Sequence, residues 1–217
     1  MTGPDRRRQK IRDVAHQRLG WVSCAIEALY HRHNGSAVLR TCDALGVHRV
    51  HLVEGHFRPA KGAARGAERW LDLRWDARPE DTLAALRAEG RSLWIADFSD
   101  TAVPPEAIPL DRPVCLWFGA ELVGVGAAAR AAADGVVTLP MYGMAQSLNV
   151  SVAAALALST VAGRARAALG ARALLPPAER DATLAAWLAR EDDVSAGVAA
   201  RAAAEWDDPV ADVQEDA

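Results

Sequence analysis

Apolar positions follow two rhythms along this chain, a helical spacing and short uninterrupted runs, and the two alternate. Residues 5–31 open with helical spacing at Ile11, Val14, Ala15 and Leu19, and a short strand over 21–26 follows. Val38, Thr41, Cys42 and Leu45 then fall at i, i+3, i+4 and i+7, one buried helix face. Ser36 is placed to cap that helix and Gly46 to stop it in the left-handed conformation. Residues 50–53 read as a strand, and the polar, Gly-rich stretch 54–80 as a surface loop or short helix. Further on, 80–89 reads as helix, 92–98 as strand and 125–133 as an Ala-rich helix. Residues 136–139 read as strand and 149–169 as a long apolar helix. Residues 114–118 (VCLWF) are apolar without interruption, as a strand buried on both faces requires. Strands alternating with helices predict an α/β fold, a parallel sheet covered on both sides. Pro176 and Pro177 mark a boundary; 178–206 regain helical spacing through Leu184, Trp187, Leu188, Val194 and Val198, and the last ten residues form an acidic, fraying end.

Composition narrows the class. With 217 residues, about half of them hydrophobic, the chain suits one α/β domain with extensions, or two small domains. The boundaries fall at 1–20, 21–170 and 171–217. Outside the Ala-rich helices there is no uncharged apolar run of roughly 18 residues, and the start MTGPDRRRQKIRDVAHQ lacks an apolar leader, so no membrane span or secretory signal is expected. Cys24, Cys42 and Cys115 are odd in number and scattered, as reduced, buried thiols of a cytoplasmic protein would be. The six His show no metal spacing.

A net charge of −3 argues against nucleic acid until its distribution is considered. Arg6, Arg7, Arg8, Lys10, Arg12 and Arg18 make the N-terminus basic, while Glu191, Asp192, Asp193 and the acids beyond Glu205 make the C-terminus acidic. That asymmetry fits an RNA-facing arm at Arg6, Arg7 and Arg8, or two solvated termini.

Three segments set glycines and polar groups just after apolar strands or before helices, where ligands of open α/β sheets bind. They are HNGSAVLRTCDALGV (33–47), LWFGAE (116–121) and LPMYGMAQSLNVSVAAALAL (139–158). A phosphate loop is excluded because Val125 stands where the lysine should follow Gly119 and Gly124, and neither GxGxxG nor GxSxG occurs. Gly119 and Gly143 permit close backbone approach; Ala96, Leu139, Met144 and Leu148 suit an apolar slot, and Ser147 and Asn149 stand where helix caps belong.

In order and spacing the three segments resemble the motifs of the SpoU/TrmH methyltransferases: an Asn with an Arg six residues on, an apolar strand ending in Gly-x-Glu, and a QSLNVS core. The resemblance covers roughly 20–165. It implies a parallel sheet with a C-terminal trefoil knot, a homodimer with its active site at the subunit interface, and S-adenosylmethionine in the knot. The site it implies uses Ala96, Gly119, Leu139, Met144, Ser147, Leu148 and Asn149 for the cofactor, and Arg40, Asn34 and Glu121 for catalysis. The tail LLPPAERDATLAAW resembles the extension of tRNA guanosine-18 2′-O-methyltransferases, which makes tRNA the expected substrate, with no DNA or membrane partner. The family usually has a polar residue after the Glu; this chain has Leu122 and Val123, and Ala120 replaces the common Asn or Gln.

Individual roles stay open at this stage. Arg40 lies about 200° round its helix from Val38 and serves as a phosphate and ribose clamp or as the proton acceptor. Asn34 holds the ribose, orients Arg40 or forms a turn before the helix; Glu121 positions these groups or forms a salt bridge. An rRNA methyltransferase and a non-catalytic RNA-binding protein of the same fold are the alternative readings.

Overall fold

A computed structural model describes residues 3–28, 31–54, 66–120 and 123–206. The chain runs α1 (Gly3–Ala15), β1 (Val22–Glu27), α2 (Arg32–Leu45), β2 (Arg49–Val53), β3 (Asp72–Asp76) and α3 (Pro79–Ala88). It continues with β4 (Ser92–Ala96), β5 (Val114–Phe118), α4 (Ala127–Ala132), β6 (Gly135–Val137), α5 (Val150–Leu169) and α6 (Pro177–Trp206). Among the described residues, those of 16–176 form one compact unit, and 3–15 with 177–206 form another.

In the larger unit all six strands are parallel, in the order β3-β2-β1-β5-β4-β6. The pleat sends alternate residues to opposite faces. Cys24, Ile26, Leu116 and Phe118 join Val38, Leu39, Leu158 and Val161 of α2 and α5 in one apolar cluster. Ala25, Cys115 and Trp117 face the other way, onto Leu86 of α3 and Ala129 of α4. All five β5 side chains are buried, which is why its sequence carries no polar alternation.

Helix α5 is long and apolar enough by composition to cross a bilayer. Here its inner face, including Ala154, Leu158, Val161 and Ala165, is buried in the core. Arg164 donates to the carbonyls of Pro105 and Ile108, both at 2.9 Å.

Three sequence expectations are corrected. Ser36 does not cap α2: the helix starts a turn earlier, with the amides of Asn34 and Gly35 bonded to the His31 carbonyl at 3.0 and 3.4 Å. Ser36 is instead fully buried inside the helix. The other end is as expected, with Gly46 at φ 75°. Within 54–80, expected as surface loop or short helix, lie a 3-10 turn, Ala67–Trp70, and the edge strand β3; 55–65 lie outside the described residues. DLRWD does alternate, with Leu73 and Trp75 set between Asp72, Arg74 and Asp76, but the alternation lasts only five residues inside a polar stretch. Arg18 is no part of a basic arm. It is 1 % exposed, forms an ion pair with Asp43 and donates to the Asp43 carbonyl at 3.1 Å.

The two ends of the sheet differ in character. At the amino ends of the strands, Arg91 donates to the Gly20 carbonyl at 2.8 Å, and Arg49 bonds Asp72 at 3.0 Å and Glu89 at 2.8 Å. His48 is buried in this belt. Burial first, and the Arg18 charge second, push its pKa down to about 4. These groups bond one another, which suits a stabilising belt. The carboxyl ends of β4, β5 and β6 instead open into a cavity.

Candidate active site

Because the strands are parallel, Ala96, Phe118 and Val137 end their strands at the same edge of the sheet, where open α/β sheets bind ligands. A cavity of about 490 Å³ lies there, closed on the other side by α5 and the loop before it. Of the residues expected to form a cofactor slot, Ala96, Gly119, Leu139, Ser147, Leu148 and Asn149 line this cavity. Met144 does not. It is 100 % exposed, and Met141, three residues earlier, occupies the lining instead. Nothing lies within 4 Å of where a Gly143 side chain would begin.

Gly119 is required for a reason the sequence did not show. A Cβ there would sit 2.2 Å from the carbonyl carbon and oxygen of Gly124. The two strands of this turn are joined by Ala120 N–H to Gly124 O at 3.1 Å and Gly124 N–H to Ala120 O at 2.9 Å. Gly124 itself has φ 69°. So the glycines let the two ends of the loop meet, and Gly119, Ala120 and Gly124 there line the cavity.

Two further groups hold this wall. The buried Glu27 carboxylate accepts from the Trp117 indole N–H at 2.7 Å and the Gly126 amide at 2.9 Å. Arg130 donates to the Val125 carbonyl at 2.8 Å and forms an ion pair with Asp97, a lining residue.

The first and third sequence motifs meet directly. Asn149 is the N-cap of α5; its Oδ1 accepts from the Ser151 amide at 2.8 Å and the Ser151 hydroxyl at 2.6 Å. Its Nδ2 donates to Asn34 Oδ1 at 3.2 Å. Asn34 lies in the first turn of α2, not in a turn before it.

Residues 22–159 match the family model described as the SpoU rRNA Methylase family. The chain belongs to the SpoU rRNA methylase family. This SpoU-family chain is 35% identical over 180 residues to the tRNA (guanosine(18)-2'-O)-methyltransferase of Escherichia coli, covering 81% of the chain and 79% of that enzyme. It is also 35% identical over 185 residues to the Thermus thermophilus enzyme of the same name, covering 84% and 95%. Among solved structures, the A. aeolicus TrmH/SpoU tRNA modifying enzyme aligns with TM-score 0.79 and 28% identity, over 88% of this chain and 98% of that one. The SpoU methyltransferase AviRb from Streptomyces viridochromogenes, crystallised with AdoMet, aligns with TM-score 0.58 and 25% identity, over 68% and 61%.

Of the remaining expected residues of the SpoU-family chain, Arg40 does not line the cavity. Arg40 lies six residues beyond Asn34, about 9 Å along α2. It is exposed and makes no hydrogen bond or ion pair with the described residues. Glu121 lies outside the described residues. In the terminal unit Arg6 is exposed, whereas Arg7 pairs with Glu191 and Arg8 with Asp192.

Sequence reasoning passed over Glu27, Asp97, Phe118, Val137 and Met141. Phe118 and Val137 read as strand core, which they also are. Asp97 had an available signal, since it follows Ala96 at the end of an apolar strand.

Proposed function

We propose that this chain transfers a methyl group from S-adenosylmethionine to a ribose 2′-hydroxyl of tRNA, at guanosine 18. The hydrogen bond joining Asn34 to Asn149 carries the reading, because it connects the cavity to the helix that bears Arg40. The cavity fits the cofactor. Its volume lies in the range that holds small ligands, about 300–1,000 Å³, and it offers an apolar wall at Ala96, Phe118 and Leu139 with polar groups at Thr138, Ser147 and Asn149. S-adenosylmethionine supplies, when bound, an electrophilic methyl on a positively charged sulfur.

The protein's own part is alignment. The ribose oxygen must lie in line with the carbon–sulfur bond that breaks as the new oxygen–carbon bond forms, and holding that geometry lowers the barrier by removing orientational freedom. Asn149 and Asn34 fix the relation between the cavity wall and the first turn of α2. Arg40, uncommitted to any described side chain, clamps the ribose–phosphate of the target nucleotide. A guanidinium stays protonated at neutral pH and is a poor base. Its positive charge instead favours the negative charge that builds on the oxygen as the hydroxyl proton passes to solvent water.

The match along most of both tRNA methyltransferases supports tRNA over rRNA as substrate. The resemblance also carries a C-terminal trefoil knot and a homodimer, and the three scattered, free cysteines favour a cytoplasmic location. A dimer is supported by Arg40's distance from its own chain's cavity lining and by the exposed apolar side chains Val152 and Leu156 on α5. In this reading residues 21–170 are the methyltransferase domain, flanked by a basic extension, 1–20, and a helical extension with an acidic tail, 171–217. Arg6, Arg7 and Arg8 contribute phosphate contacts.

The test is incubation of the purified chain with tritiated S-adenosylmethionine and total RNA, followed by mapping of the labelled nucleotide. Label in tRNA as 2′-O-methylguanosine is expected. Label confined to rRNA, or none, would overturn the proposal.

A further inference from the structure

We propose that Glu27 and Arg130 are positioning residues that set the shape of the cofactor slot by gripping one peptide group at both ends. The Val125 carbonyl and the Gly126 amide belong to the same peptide unit. Arg130 Nε donates to that carbonyl at 2.8 Å, and Glu27 Oε2 accepts from that amide at 2.9 Å. Opposite charges thus hold the positive and negative ends of one peptide dipole. A peptide held at one end can still swing about its neighbours; held at both, its plane is fixed.

The position of this peptide gives the grip its consequence. It directly follows Gly124, which is bridged to Ala120, and Gly119, Ala120 and Gly124 all line the cavity. Fixing the 125–126 plane therefore fixes the wall. The cavity is also reached from the other end of the grip, since Arg130 pairs with the lining residue Asp97.

Two observations indicate that the arrangement is more than packing. Glu27 is 3 % exposed, has no cationic partner among the described residues, and shares its face of the sheet with the buried apolar side chains Ala25, Val53 and Trp117. Burying a carboxylate there is unfavourable unless its oxygens are bonded, and an apolar side chain would fill the space without that cost. Gly126 is matched to it as well, since a Cβ at 126 would lie 2.2 Å from Glu27 Oε1.

The inference rests on the cavity being the S-adenosylmethionine site, so its test reads ligand binding and loop motion rather than turnover. S-adenosylhomocysteine affinity is measured by calorimetry, and exchange of the Gly126 amide by NMR, on the full chain. Glu27→Ala should weaken binding by at least about tenfold, the scale of one lost charged hydrogen bond, and speed Gly126 exchange. Glu27→Gln keeps an oxygen for both donors and should stay within about threefold of wild type. Leu86→Ala, on the same face, serves as a control for general destabilisation and should leave affinity unchanged at a similar loss in melting temperature. If Glu27→Ala does not fold, Arg130→Ala releases the opposite end and should weaken binding in the same way. Wild-type affinity in Glu27→Ala or in Arg130→Ala, or an equal loss in Leu86→Ala, would overturn the grip alone. No binding by the wild-type chain would overturn the cofactor reading along with it.

Discussion

Asn149 donates its side-chain N–H to Asn34 at 3.2 Å while its oxygen caps α5. The cap determines the orientation of the amide: its oxygen must face the Ser151 amide, so its nitrogen must face Asn34. The two roles can be separated. Asn149→Ser still offers an oxygen to the Ser151 amide but is too short to reach Asn34. It should therefore keep the melting temperature and lose roughly tenfold or more in turnover, as expected for one lost positioning contact. Asn149→Ala should in addition lose about 1 kcal/mol of stability with the cap. Thermal melts and single-turnover methyl transfer distinguish them, and full turnover by Asn149→Ser would show that the link is idle.

Two of the three arm arginines are already paired. Arg7 is matched to the buried Glu191 and Arg8 to the exposed Asp192, and an exposed pair such as the second is worth only about 0–1 kcal/mol. A phosphate can replace such partners. Replacing Glu191 by Gln together with Asp192 by Asn should tighten tRNA binding and steepen its dependence on log salt by about 1 to 2, as two arginines become available to release counterions. Replacing Arg6, Arg7 and Arg8 by Ala should do the reverse and leave cofactor affinity unchanged. Binding titrations at several salt concentrations that show no change in either variant would assign the pairs to holding α1 against α6.

His48 makes the fold acid-sensitive. Its folded pKa is pushed to about 4, below the ordinary value of about 6.5, so below 6.5 the unfolded chain binds the proton that the folded chain refuses. The stability it contributes is present above that pH and lost as pH falls towards 4. Buried His51, also lowered by burial, acts in the same direction. Urea unfolding at pH 7.5 and pH 5 should differ by about 2 kcal/mol from His48 alone. His48→Asn should reduce that difference, and an unchanged pH slope in the variant would reassign the effect.

Some of this is legible in the sequence and some is not, for identifiable reasons. β5 reads residue for residue because both its faces are buried, and α5 because its cap, Asn149, precedes a long apolar run. β3 escapes because its alternation, Leu73 and Trp75 between charged residues, lasts only five residues in a polar stretch. Met144 is expected in the slot and lies in solvent, because the loop between β6 and α5 has no period from which to predict direction. Glu27 is invisible because its donors are 90 and 99 residues away in the chain; a carboxylate at a strand end reads as a surface charge until the fold closes over it. The motif residues Asn34 and Asn149 are found by resemblance, and only the fold shows that they touch.

Arg40 discriminates between alignment and mere charge. It makes no described contact that folding depends on, so Arg40→Ala should leave the melting temperature and S-adenosylhomocysteine affinity intact while abolishing methyl transfer. Arg40→Lys keeps the charge but loses the forked donor geometry, and should fall by at least about a hundredfold in rate, about 2.7 kcal/mol. Near-wild-type rates for the Lys variant would reduce its role to a point charge.

The central claim is that the methyl acceptor is the 2′-oxygen of one guanosine in tRNA. Two otherwise identical tRNAs test it, one carrying guanosine at position 18 and the other 2′-deoxyguanosine, each incubated with the chain and tritiated S-adenosylmethionine. The account predicts label in the first, recovered as 2′-O-methylguanosine, and none in the second. Equal incorporation into both would contradict it.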